Sequence, residues 1–268
     1  MFYPEARPNP TAMHLLGLPV HPADVTEIHA FIAQVILKGE KALAINLNIH
    51  AAVLASGNPD MYELIRSAHI VFCDGDGIRW GLRILGHKPP PKIPTTRWIW
   101  QLAEFSDARK YKLFFLGTTP EIMAEAVRRI KAKHPRLEIA SHHGFFKKEG
   151  TENGLIIEKI NAFSPDILLV GFGMPIQEKW LYRNWKNIKA HIFLKGGGVF
   201  DYVAGELGEV PAWMIRRHLE WLFRIYEEPG RLLGRYLYDI PVFFCGVICE
   251  KIQKLFGANT QKNNGDRL

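Results

Sequence analysis

The feature that most constrains this chain is a series of short apolar runs, each stopped by a glycine or a polar residue. They occupy residues 42–47 (ALAINL), 69–73 (HIVFC), 112–116 (KLFFL), 166–170 (DILLV) and 191–194 (HIFL), with a weaker one at 137–140 (LEIA). Runs this short suit strands better than helices, and the longer stretches between them carry helical spacing. Strands apolar along their whole length belong in a parallel sheet buried on both faces. The clearest helix lies between the third and fourth runs. Thr119 can cap it, Pro120 fits the first helical position and Glu121 suits the positive end. Ile122, Ala126, Ile130 and Ala132 form its expected apolar stripe, and Pro135 limits its far end.

In an open parallel sheet the ligand lies beyond the carboxyl ends of the strands. The unusual residues of this sequence gather there: Asn46 and Asn48, the 74–77 segment Asp-Gly-Asp-Gly, Gly117 to Thr119, Gly144 to Phe146, the 171–178 segment with Gln177 and Glu178, and the glycines 196–198 leading to Asp201. All but the Gly144 segment follow an apolar run directly. This clustering predicts a nucleotide-type site.

After Pro211 the pattern changes to two helical stretches. Trp213, Leu219, Trp221, Leu222, Ile225 and Tyr226 interleave with Arg216, Arg217, Arg224, Arg231 and Arg235. Aromatic and basic residues together suit a bilayer interface; a packed terminal helix pair with basic outer faces has the same pattern. The longest apolar run, 240–249, is shorter than the roughly 20 residues a spanning helix needs. Residues 1–10 contain no apolar stretch of the kind a secretory leader carries. The formal net charge of +7 favours an anionic partner such as phosphate, nucleic acid or an acidic membrane face. Three cysteines (Cys73, Cys245 and Cys249) form no Cys-x-x-Cys pair and suit a reducing compartment.

The motifs differ in what they can carry. Asp74, at a strand end before two glycines, can act as a general base; the ordinary alternative is a carboxylate capping the next helix. Asp74 with Asp76 also spells the Asp-x-Asp that holds a divalent cation against a diphosphate, but the tripeptide is common and no further ligand stands at metal spacing nearby. There is no P-loop, and the glycine pairs lack the spacing and the following acidic residue of a dinucleotide fingerprint. Without a metal, a leaving diphosphate needs guanidinium groups. Arg224, Arg231 and Arg235 can supply them, unless they pair on the surface with Glu220, Glu227 and Glu228.

Taken in order, several segments resemble the WecG/TagA/CpsF family, glycosyltransferase family 26. They are Asp74-Gly-x-Gly-Ile78, the 115–120 stretch FLGTTP, Gly144-Phe-Phe146, the 165–180 stretch PDILLVGFGMPIQEKW, Gly196-Gly-Gly-Val-Phe-Asp201 and the 219–229 stretch LEWLFRIYEEP. The resemblance runs from about Leu15 to about Leu237. It implies an α/β fold: a Rossmann-like parallel sheet flanked by helices, with a helical C-terminal appendage. On this reading residues 1–210 are the glycosyltransferase core, 211–256 a membrane-associating appendage and 257–268 a polar tail. It implies an inverting, metal-independent transferase without a cofactor, peripheral on the inner face of the bacterial plasma membrane. Its substrates would be a UDP-sugar and a polyprenyl-diphosphate-linked saccharide in surface or exopolysaccharide synthesis. The sugar is left open among N-acetylmannosamine, its uronic acid and a glucose type; nucleic acid is not expected as a partner, and a homo-oligomer is left open.

By the same resemblance Asp74 is the general base. Asn46, Asn48, Lys92 and Gln177 face the donor sugar, Gly144, Phe145 and Asp201 hold the nucleotide, and Arg224, Arg231 and Arg235 bind the diphosphate. The chain departs from the family pattern at Asn46 (usually Thr), Lys92 (usually Arg), Phe145 (usually Tyr), Thr95-Thr96-Arg97 (usually a Gly-x-Asp) and Gly234, which interrupts a basic pair. Asp76 falls at a variable family position, against a metal role. The rival reading is a non-catalytic nucleotide-sugar-binding or RNA-binding protein, which the charge allows but no recognisable RNA-binding module supports.

Overall fold

The computed structural model describes residues 12–265, with side chains as far as Phe256. The reading of residues 1–10 as free of a leader lies outside the described residues. The apolar runs form one six-stranded parallel sheet. Its strands are β3 (Ala42–Leu47), β4 (Ile70–Cys73), β5 (Leu113–Gly117), β6 (Ile139–His142), β7 (Ile167–Gly171) and β8 (Ile192–Lys195), in the order β4-β3-β8-β7-β5-β6. A hairpin that the periodicity did not predict, β1 (Met13–Leu15) with β2 (Leu18–Val20), precedes them and turns at Leu16 and Gly17, both with positive φ.

Both sheet faces are buried, as continuous apolar strands require. Leu43, Ile45, Leu47, Phe114, Leu116, Leu168, Val170 and Phe193 point into one core. The alternating residues Ala42, Ala44, Phe72, Phe115, Leu169 and Leu194 point into the other. The first face is covered by α2 (Ile49–Ser56), α3 (Pro59–Arg66), α4 (Asp76–Ile84), α7 (Gly150–Phe163) and α8 (Ile176–Asn184). The second is covered by α1 (Val25–Leu37), α5 (Thr95–Arg109), α6 (Pro120–Lys133) and α9 (Val199–Ala204).

Two local expectations need correction. The weak strand is displaced from 137–140 to Ile139–His142; it is the sheet edge, its residues are only half-buried, and polar Ser141 and His142 are tolerated there. In α6 the cap is as expected, with Thr119 Oγ1 accepting from Ile122 N at 3.3 Å. Its buried stripe, however, is Met123, Ala126 and Ile130; Ala132 is exposed and Ile122 only partly covered. The sheet meets the helix slightly to one side of the face that hydrophobicity alone selects.

Beyond Pro211 there are three helices rather than two: α10 (Ala212–Arg216), α11 (Glu220–Glu227) and α12 (Pro229–Gly265). The last runs straight through 240–249, so the expectation that this run is too short to span is also revised. Leu232, Leu233 and Leu237 before it and Ile252, Leu255 and Phe256 after it extend the apolar character. Pro229–Phe256 is long and apolar enough to cross a membrane by length and composition. One side of this helix is nonetheless committed to protein. Phe243 and Val247 are fully buried in the first core, Phe243 beside Leu15 of the hairpin and Gly81 of α4, and Glu250 Oε2 accepts from Leu16 N at 2.7 Å. The opposite side exposes Leu233, Leu237, Tyr238, Val242, Ile248, Ile252, Leu255 and Phe256.

Candidate active site

The carboxyl ends of β3 and β4 form the floor of a cavity of about 520 Å³, and α10, α11 and α12 form its roof. Asp74 leaves β4 into this floor. It caps nothing: Gly75 is the N-cap of α4, which has no side-chain cap. Gly75 has φ +141, a conformation that L side chains rarely adopt, which lets the chain turn sharply after the carboxylate. Asp74 is held from below. Asn46 Nδ2 donates to its Oδ2 at 2.7 Å and is also 2.7 Å from Thr95 Oγ1. Burial pushes the Asp74 carboxyl up to about 6, against the lowering effect of the Asn46 hydrogen bond and of Lys195 and Lys92. A carboxylate poised there takes up a proton readily near neutral pH, as a general base should.

The second carboxylate of the Asp-x-Asp is occupied differently. Asp76 receives Lys92 Nζ at 2.6 Å, Arg79 Nη1 at 3.1 Å and His218 Nδ1 at 3.0 Å. Burial alone would raise its pKa, but Lys92, His218 and Arg79 together hold it below the ordinary value. Lys92 also pairs with Glu220 at 3.2 Å, and Glu220 with Arg97 at 2.9 Å, so the cluster ties α11 to the cavity floor. Among the described residues, no group of three or more His, Cys, Asp or Glu side chains is arranged to hold a metal.

The residues expected to bind substrate fall into two neighbouring groups. Asp74, Asn48, Lys92, Arg224 and Arg235 line the cavity. Asn48 caps α2, its Oδ1 accepting from Ala51 N at 3.0 Å. Gly144, Phe145, Asp201 and Gln177 lie outside its lining, at the ends of β5 to β8. There Gly144 N donates to Thr118 O at 2.8 Å and Thr118 Oγ1 to Asp201 Oδ1 at 3.1 Å. A Cβ at Gly144 would approach Phe172 to 3.0 Å and Gly117 to 3.2 Å, so the close passage favours glycine. Phe145 is 71% exposed, an uncovered ring beside this segment. Tyr202, which follows Asp201, reaches the cavity wall and connects the groups.

Three placements differ from the sequence expectation. Asn46, only 6% exposed, is not on the cavity wall; it serves the site by orienting Asp74. Gln177 is buried and braces two loops, its Oε1 accepting from Gly197 N and its Nε2 donating to Glu178 Oε1, each at 3.0 Å. Arg231 lies outside the cavity lining and pairs with Glu228, as the surface reading had it, though near enough to Asp201 to feel its charge.

Two pairings escaped the sequence reading. Lys195 and Glu178 form an ion pair of 2.9 Å with side chains 1% and 0% exposed, behind the floor. His50 Nδ1 lies 2.7 Å from Asp239 Oδ2, with both residues in the cavity lining. Lys195 carried a readable signal, a charge closing an apolar run. The partners of the second pair lie 189 residues apart, and nothing local joins them.

A profile described as "Glycosyl transferase WecG/TagA/CpsF family" matches residues 13–256. Three relatives bear the name N-acetylglucosaminyldiphosphoundecaprenol N-acetyl-beta-D-mannosaminyltransferase. The Bacillus spizizenii protein is 28% identical over 207 residues, covering 77% of this chain and 79% of its own. The Bacillus subtilis protein is 26% identical over 228 residues, covering 85% and 87%. A Staphylococcus aureus protein of the same name is 27% identical over 181 residues, covering 68% and 69%.

Proposed function

The chain belongs to the WecG/TagA/CpsF glycosyltransferase family, and from that premise we propose that it transfers N-acetylmannosamine from its UDP derivative to a saccharide linked to polyprenyl diphosphate. The relatives' names support both the sugar and the acceptor class. The observation that carries the chemistry is Asp74: a carboxylate with its pKa raised to about 6, on the floor of a cavity whose roof presents Arg224 and Arg235.

The step is a single displacement. Asp74 takes the proton from the acceptor hydroxyl as that oxygen forms a bond to the anomeric carbon. The bond from that carbon to the diphosphate oxygen breaks, and its electron pair leaves with UDP. Attack from the face opposite the leaving group inverts the anomeric configuration. Arg224 and Arg235 receive the developing charge on the diphosphate in place of a cation. The Lys92, Arg79 and His218 contacts of Asp76 support the metal-free reading, because they already neutralise the second carboxylate. Gly144, Phe145 and Asp201 hold the uracil end, with Arg231 at their margin.

Residues 211–256 act as the membrane-associating appendage, on the inner face of the bacterial plasma membrane. The exposed apolar side of α12 supports this, as does the aromatic and basic character of α10 and α11. The test is transfer from a panel of UDP-sugars to a short lipid-diphosphate saccharide, with and without EDTA. Product with an inverted linkage and undiminished turnover in EDTA is expected. Full loss on EDTA refutes the metal-free step, and no transfer from any UDP-sugar refutes the activity.

A further inference from the structure

The cavity wall contains a histidine–carboxylate pair to which the displacement above gives no task. His50 stands in the first turn of α2, two residues after Asn48; Asp239 lies on α12 and is 4% exposed. Their 2.7 Å contact is made by Nδ1. An ionised carboxylate can only accept a hydrogen bond, so Nδ1 carries the proton and donates it. Arg235 Nε is 3.5 Å from the same carboxylate oxygen, which places a positive charge beside the ring. The remaining polar atom of the imidazole is Nε2. Among the described residues no hydrogen-bond partner reaches it, and the ring faces the cavity with its side chain 18% exposed.

Burial and then Arg235 push the His50 pKa down, outweighing Asp239 and Glu178, so the ring is neutral at neutral pH. A neutral ring donating through Nδ1 presents Nε2 as a lone-pair acceptor. The other acceptors of the lining are mostly engaged: Asp76 and Glu220 pair with Lys92, Arg79 and Arg97, Asp239 pairs with Arg235, and Asp74 is reserved for the proton of the attacking hydroxyl. Pyranose hydroxyls supply donors, whereas an ionised diphosphate supplies none.

We propose that His50, fixed by Asp239, is a sugar-binding residue whose Nε2 accepts a hydrogen bond from a ring hydroxyl of the saccharide bound beside Asp74. Asp239 is the positioning residue that acts through it. This rests on the glycosyltransferase reading and adds to it a determinant of which hydroxyl pattern the cavity accepts. Both the donor and the acceptor carry a pyranose, and the assay separates them.

The experiment is steady-state kinetics on the full chain, varying the UDP-sugar and the lipid-linked saccharide in turn, with thermal melting of each variant. His50→Ala is expected to raise KM for one of the two about 5- to 10-fold, the loss of one neutral hydrogen bond, with kcat within about 2-fold and an unchanged KM for the other. The substrate affected identifies the sugar. His50→Gln, whose Oε1 can accept at similar reach, should recover much of the loss. Asp239→Asn, which no longer dictates which ring nitrogen holds the proton, should raise the same KM. An active wild type whose variants keep both KM values overturns this inference alone. So does a loss that follows melting temperature and is no smaller in His50→Gln, because the pair is then a strut. A wild type that transfers no sugar overturns both this inference and the reading beneath it.

Discussion

Replacing Asp74 with asparagine should make the protein more stable and almost inactive, and the size of the gain should depend on pH in a defined way. Burial raises this carboxyl from an ordinary value of 3.8 to about 6. At about 1.4 kcal/mol per pH unit the difference is worth roughly 3 kcal/mol of native stability at neutral pH. The sign follows from proton counts. Between the two values the native state holds the proton while the unfolded chain has released it, so native stability falls as pH rises from about 4 to about 6 and stays lower above that. Asparagine has no proton to lose, and its side-chain oxygen can still accept from Asn46 Nδ2. The variant should match the wild type near pH 3.5, gain steadily through the window, and level off above pH 6. A gain of about 2 kcal/mol, allowing for partial solvent access, corresponds to a melting temperature higher by roughly 4–8 °C in a chain of this size. The assay is paired thermal melts across pH 3.5–8, with transfer rates on the same preparations. Wild-type kcat/KM should rise with pH through about 6, and the variant should lose ~100-fold or more, as a missing general base does. A variant less stable than wild type at pH 7.5, or a stability difference indifferent to pH, would refute the claim that Asp74 is a carboxylate held ionised at a cost. Normal turnover would refute its role as base.

Two further outcomes follow from the packing. Lys195→Met leaves Glu178 as a buried carboxylate without its cation and should cost about 3–5 kcal/mol in urea unfolding, most of it recovered when Glu178→Gln is added; an unchanged midpoint in the single variant would show that the pair is not buried as described. Replacing Leu237 and Tyr238, 68% and 65% exposed on the outer side of α12, with glutamate should weaken sedimentation with anionic vesicles without lowering the melting temperature. Equal binding by the variant would rule out this face as the membrane contact.

How much of this was visible in the sequence depended on how far apart the cooperating residues stand. The strands were legible because a buried parallel strand has to be apolar on both faces, and β3, β5, β7 and β8 announce themselves that way. The edge strand β6 was misplaced because an edge tolerates Ser141 and His142 and loses that signature. Asp74 was readable as the unusual residue closing a run, and Asp201 as the acid that follows the glycines after another. Its supporting residues were harder. The family resemblance places Asn46 against the donor sugar, and only the fold shows it beneath Asp74. Gln177 is placed there by the same resemblance, and its contacts with Gly197 and Glu178 emerge only from the fold. The roof of the cavity was legible as a basic and aromatic segment, but which arginines face inward depends on how α11 and α12 are rotated. That rotation is fixed by Phe243 and Val247 meeting the core, a partnership outside any local window.

The meeting of α12 with the β1–β2 hairpin also bears on how the chain acquires its activity during synthesis. The amide of Leu16 awaits a carboxylate 234 positions downstream, and Leu15 and Gly81 await Phe243. A nascent chain can assemble its sheet on the ribosome, yet that flank stays uncovered, and the catalytic chamber unroofed, until the last long helix emerges. Translation therefore sets the order of events: the cavity can close only after α12 has been made and has docked on the hairpin.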